Sequence, residues 1–159
     1  MKHVWIMRHA TAENTSQDYN RILTEIGKQE ALKSAKYLNK YEILPELILA
    51  SSSVRTRETA LYIKQNIRNN VQVEFIDKLY RAGANSILKQ LQQLEDCYTA
   101  IMLVVHNSGV YEFSKEFLGQ NQDLLRNIVP ASIAYFTVEC DSWSLLENGH
   151  GNLRWFFMP

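Results

Sequence analysis

Three short stretches of this sequence carry the side chains that could do chemistry. "RHA" places Arg8 and His9 directly after the apolar run from Val4 to Met7. "SSSVRTRETA" brings Arg55 and Arg57 soon after "LILA", and "HNSG" sets His106 and Asn107 directly after "AIMLVV". Arginine offers a planar fork that matches phosphoryl oxygens two at a time and keeps its charge. A neutral imidazole can attack phosphorus while guanidinium groups stabilise the charge on the transferring oxygens. Each stretch alone says little, because a histidine at a strand end is ordinarily structural and an arginine on a first helical turn is ordinarily solvated. Two histidines and two arginines meeting at one edge of a sheet would make a site for a phosphoryl dianion.

Whether they meet depends on the elements that carry them. Short apolar runs at Val4 to Met7, Leu47 to Ala50, Val71 to Ile76 and Ala100 to Val105 read as strands. Between them lie amphipathic stretches. Thr24 to Lys40 reads as a helix capped by Thr24, with Ile26, Ala31, Ala35 and Leu38 as its apolar stripe. Val54 to Ile67 reads as a second helix, with Ala60, Leu61 and Ile63 turned inward. Asn85 to Leu94, capped by Asn85 or Ser86, and Gly109 to Leu118 complete the helices. Ser132 to Val138 and Leu153 to Phe157 read as late strands flanking the turn "ENGHGN".

This alternation predicts an α/β fold with three layers, α/β/α: a mostly parallel central sheet with helices on both faces, the late strands adding antiparallel pairing. Such sheets bind ligands outside the carboxyl ends of their strands. The ends after Met7, Ala50 and Val105 are the places where the chemistry stands. Helix N-termini after Ser51–Ser53 and after Asn107 would add oriented N–H groups. Arg55 would oppose the dipole of its own helix unless an anion offset it, which favours a bound anion there.

The bulk composition bounds the rest. A length of 159 residues suits a single domain, 1–159. Hydrophobic residues at 46% and charged residues at 21% are globular proportions. Seventeen Lys and Arg balance 17 Asp and Glu, so nothing draws the whole chain to nucleic acid or an acidic membrane, and any anion site must be local. No stretch approaches a membrane span and the start lacks a signal-peptide pattern. A cytoplasmic protein is expected, with Cys97 and Cys140 as reduced thiols. His9 and His106 lack carboxylate or thiolate ligands at recognisable spacing, and the arginines would repel a cation, so neither a metal nor another cofactor is expected.

Taken together, the motifs resemble the histidine phosphatase superfamily, and most closely its short SixA-type phosphohistidine phosphatases. Arg8-His9-Ala10 stands for the family's R-H-G. "RILTEIG", Arg21 to Gly27, is similar to R-x-L-T-x-x-G. "SSSVRTRETA" is similar to S-P-x-x-R-A-x-Q-T-A, with Ser52, Thr56 and Glu58 substituted. "VVHNSG" is similar to V-G-H-N-P-G, with Val105 and Ser108 substituted. The resemblance implies a phosphoglycerate mutase-like fold, with His9 as the nucleophile that becomes phosphorylated. Arg8 and Arg55 are implied to hold the phosphoryl oxygens and His106 to complete the pocket. Arg21 and Asn107 are candidates for phosphate or substrate contacts. Glu58 is expected to be structural, Arg57 solvated, His3 structural and His150 solvated. Tyr80, Trp143, Trp155 and Phe156 are candidates for packing.

Larger members of the superfamily carry a carboxylic acid after the third strand to protonate an ester leaving group. Here that segment reads "DKLYRAGANS", with Asp77 as the sole candidate and a solvated loop as its simpler assignment. Phosphohistidine has a labile P–N bond and needs no dedicated acid. The expected substrate is therefore a phosphorylated protein, of the histidine-containing phosphotransfer type, with a small phosphoester as the alternative. An inactive phosphate-binding module is the third possibility.

Overall fold

Apolar side chains alternate along the strands and divide the core in two. Val4 and Ile6 belong to one cluster, with Leu47, Leu49, Ile101, Leu103 and Val105; Trp5 and Met7 belong to the other, with Ile48, Ala50, Met102 and Val104. A strand buried on both faces needs such a two-sided apolar run. The computed structural model describes residues 1–119 and 127–159. The element order is β1 (Lys2–Arg8), α1 (Glu25–Leu38), β2 (Leu47–Ser51), α2 (Val54–Asn66), β3 (Gln72–Ile76), α3 (Ala84–Gln92), β4 (Ala100–Val105), α4 (Asn107–Leu118), β5 (Ile133–Val138) and β6 (Asn152–Phe157).

The six strands lie in the order β3-β2-β4-β1-β5-β6. β1, β2, β3 and β4 are mutually parallel, while β5 runs antiparallel to β1, and β6 to β5. α1 and α2 pack together over the face that holds Trp5 and Met7, and α3 and α4 over the other. The α/β sandwich expected from the alternation is therefore present, with the late strands pairing antiparallel. The register sets Arg8 beside Val105 and Ser51 beside Ile76, so β1, β2 and β4 end at one rim of the sheet.

Local chemistry explains where the helices begin. Thr24 caps α1, its hydroxyl oxygen accepting from the Gly27 N–H at 3.0 Å, a contact worth about 1 kcal/mol. α3 starts one residue before the expected Asn85, after Gly83 and without a side-chain cap, so neither Asn85 nor Ser86 has that role. Ile26 is 69% exposed and Leu61 40% exposed, so both point away from the faces assigned to them. Gly27, Ser34 and Thr56 take buried positions instead, because α1 and α2 lie against backbone and polar side chains near the site as well as against apolar ones. No helix among the described residues is long and apolar enough to cross a membrane.

Candidate active site

The three strand ends bring His9, Arg55 and His106 together. Arg8 is the last residue of β1, and His9 follows it with its N–H donating to the Val105 carbonyl at 3.0 Å. The His9 ring is nearly buried, and its Nδ1 lies 2.8 Å from the carbonyl of Ala10. Arg55 stands in the first turn of α2 and donates from Nε to His9 Nε2 at 3.2 Å. A guanidinium only donates, so His9 Nε2 must be the acceptor and the ring proton must sit on Nδ1, where the Ala10 carbonyl receives it. The free lone pair is thus on Nε2, a point that sequence alone leaves open.

His106 terminates the β4 segment and caps α4. Its ring centroid is 5.5 Å from that of His9. Arg55 Nη2 donates to His106 Nδ1 at 3.0 Å, so the His106 proton is on Nε2 and donates to Ser51 Oγ at 2.9 Å. Burial lowers the His9 pKa to about 3, with the charges of Arg55, His106 and Arg8 acting in the same direction against the Ala10 hydrogen bond. Burial, and then Arg55, lowers His106 to about 4. Both rings are neutral at physiological pH, so each keeps a free lone pair.

Arg8 donates from Nη1 to the Ile128 carbonyl at 2.7 Å, while its buried Nε has no partner among the described residues. A buried guanidinium N–H without a partner suits an incoming phosphoryl oxygen. Ala10 fits where the related motif has glycine. It is fully buried, its N–H donates to Thr59 Oγ1, and positive φ among the described non-glycine residues occurs only at Arg81 and Ala131. Thr11 is clasped by Glu30, which accepts from the Thr11 N–H and from its hydroxyl, both at 2.9 Å, and so steadies the segment that follows His9.

The anion that offsets Arg55 belongs to the protein itself. Asp18, in a single 3-10 turn between β1 and α1, accepts from Arg55 Nη2 at 3.2 Å and from the Tyr80 hydroxyl at 2.7 Å. Its backbone carbonyl accepts from Arg55 Nη1 at 2.6 Å. Arg21 and Arg81 each reach the same carboxylate at 3.4 Å. The Tyr80 hydroxyl, and then Arg55 and Arg21, hold the Asp18 carboxyl well below the usual carboxylate range. Neither Asp18 nor Tyr80 was singled out as a site residue by the sequence reading. Tyr80 was read as a packing residue, yet it borders the site, with its ring 5.5 Å from that of His106. The available signal was Asp18 lying three residues before Arg21, at ion-pair spacing.

The remaining candidates fall as follows. Arg21 braces the loop, donating to the Glu13 carbonyl at 2.6 Å and to Asp18. Asn107 is the exposed first residue of α4, at the site rim. Asp77 is exposed in the turn after β3. Glu58 accepts from the Leu23 N–H and ties the loop to α2, a structural role. The exposed Arg57 lies over the Phe75 ring at 4.8 Å. His3 is bonded to the Tyr135 hydroxyl at 2.7 Å, and His150 is exposed beside Glu147. Among the described residues, no three His, Cys, Asp or Glu side chains gather as metal ligands would.

Comparison with known proteins agrees with this fold. The family model described as histidine phosphatase superfamily (branch 1) matches residues 4–81. An uncharacterised chloroplast protein of Arabidopsis thaliana is 29% identical over 126 residues, 72% of this chain, which spans 58% of that relative's length. An uncharacterised protein of Mycobacterium leprae is 27% identical over 96% of this chain and 99% of its own. Among solved structures, SixA from Nakamurella multipartitia superposes with a TM-score of 0.89 at 21% identity, covering 99% of this chain and 96% of that one. The protein histidine phosphatase SixA complexed with tungstate gives 0.82 at 22% identity, covering 98% and 96%. A mycobacterial glucosyl-3-phosphoglycerate phosphatase gives 0.70 at 15% identity, covering 96% and 97%.

Proposed function

We propose that this chain, which belongs to the histidine phosphatase superfamily, hydrolyses phosphohistidine on a protein through a phosphorylated His9. The observation that carries the proposal is the His9 ring. Its proton is committed to Ala10, and its Nε2 lone pair stands beside Arg55. When a phosphoryl group enters, Arg55 Nε and the free Nε of Arg8 turn to its oxygens. His9 Nε2 attacks phosphorus, the P–N bond of the substrate breaks, and its electron pair leaves with the substrate imidazole. Water then attacks phospho-His9, releasing phosphate and returning His9 to its starting form. His106 accepts from Arg55 through Nδ1. A dianion beside it raises its proton affinity, so Nδ1 can gain a proton and donate to the transferring oxygens. Arg21 and Asn107 stand on the loop and at the rim, where a substrate protein would contact them.

The small-phosphoester alternative needs a proton donor for the leaving oxygen. Asp77 is exposed and Asp18 is held as a carboxylate, which favours the phosphoramidate. Incubation with a phosphorylated histidine-containing phosphotransfer domain is expected to release inorganic phosphate and label His9. His9→Ala should lose both the label and turnover. Full activity in that variant would sink the mechanism.

A further inference from the structure

Asp18 keeps acceptor capacity to spare beside the nucleophile. Its Oδ2 takes three donors: Tyr80 at 2.7 Å, Arg55 at 3.2 Å and Arg81 at 3.4 Å. Among the described residues Oδ1 has one long contact, Arg21 at 3.4 Å. An ionised carboxylate offers about four acceptor positions, so Oδ1 can take another donor. The side chain is 34% exposed, which leaves that position reachable from solvent. Arg55 links the two groups, since its Nε touches His9 Nε2 while its Nη2 touches Asp18. The carboxylate therefore sits one guanidinium away from the attacking nitrogen. Because the surrounding donors keep it ionised, it has no proton to give.

We infer that Asp18 is a specificity-determining residue that accepts the free ring N–H of a phosphorylated imidazole and so selects leaving groups that carry positive charge. The inference rests on the phosphohistidine reading above. In a protonated phosphohistidine, the ring nitrogen remote from phosphorus carries the proton. His9 Nε2 supplies the electron pair of the new P–N bond. The old P–N bond breaks, its pair returns to the substrate ring, and the imidazole leaves neutral with its N–H still on Asp18. No proton has to come from the protein. An ester oxygen leaves with negative charge instead; the ionised Asp18 cannot protonate it and repels it. One carboxylate thus favours the phosphoramidate and disfavours the ester.

Asp18→Asn separates charge from shape, because asparagine keeps an acceptor oxygen and much the same volume. The assay compares kcat/KM on free phosphohistidine with kcat/KM on p-nitrophenyl phosphate, whose leaving group departs as an anion. Loss of one charge-assisted hydrogen bond predicts a fall of about 10- to 100-fold in the ratio of the two. Asp18→Ser, which also lacks the charge, should lower the ratio in the same direction. An equal loss on both substrates would mean that Asp18 only positions Arg55, and would overturn the inference. Wild-type protein that turns over the aryl ester but not phosphohistidine would instead overturn the reading on which the inference rests.

Discussion

Folding this protein in acid should require deprotonating histidines that the native state keeps neutral. His9 is 8% exposed and His106 7% exposed, with pKa values lowered from 6.5 to about 3 and about 4. In the unfolded chain both return to 6.5, so below that value the unfolded state binds protons that the native state refuses. Stability is then fully present above about pH 6.5 and falls as the pH drops toward about 4. Between pH 7 and pH 5 each such histidine removes about 2 kcal/mol, so the pair removes about 4 kcal/mol. His3, also lowered chiefly by burial, acts in the same sense. Asp18, lowered from 3.8, contributes only at still lower pH. Urea unfolding followed by the fluorescence of the three tryptophans measures the loss at the two pH values. A His9→Gln, His106→Asn double variant should lose most of the pH dependence and keep only the His3 part. Equal wild-type stability at pH 7 and pH 5, or an unchanged slope in the double variant, would refute the reasoning.

Two further substitutions probe how the site is held. A Cβ on Gly27 would lie 2.0 Å from the Thr11 carbonyl oxygen. Gly27→Ala must therefore displace α1 or the loop behind His9, costing about 1 to 3 kcal/mol, lowering Tm and slowing formation of the labelled enzyme together; differential scanning calorimetry and a labelling time course check it. Arg55→Lys removes the fork that reaches His9, His106 and Asp18 at once. A drop in kcat/KM on phosphohistidine of about 100-fold or more is expected, with little change in Tm; near wild-type turnover would contradict the assigned role.

Much of this arrangement is legible in the sequence because two-sided apolar runs and their spacing decide which strands are central. "AIMLVV" reads as a strand covered on both faces, and the polar His106 and Asn107 after it then emerge at its carboxyl end. Positions set by backbone approach are harder to foresee. Gly27 faces inward in place of Ile26 because the Thr11 carbonyl comes too close for any side chain. Asp18 escaped notice because its meaning depends on Tyr80 and Arg81, over sixty residues later in the chain, and nothing local marks such a meeting. The ring nitrogen of His9 that keeps its lone pair is likewise fixed by a carbonyl one residue away and by a guanidinium from another helix.

The bracing of the nucleophile strand has a temporal side. The Ala131 N–H lies within hydrogen-bonding distance of the carbonyls of both Arg8 and His9, the Arg8 N–H reaches Ser132, and the Arg8 guanidinium reaches Ile128. Each contact spans more than 115 residues of chain. The first chemistry-bearing residues to leave the ribosome must therefore wait for a segment synthesised much later. Contacts of such long range make the last step of assembly slow relative to local helix formation. Until that segment docks, a nascent chain carries the RHA motif without the clamp that orients it, so catalytic competence should appear late in folding, after most of the helical signal.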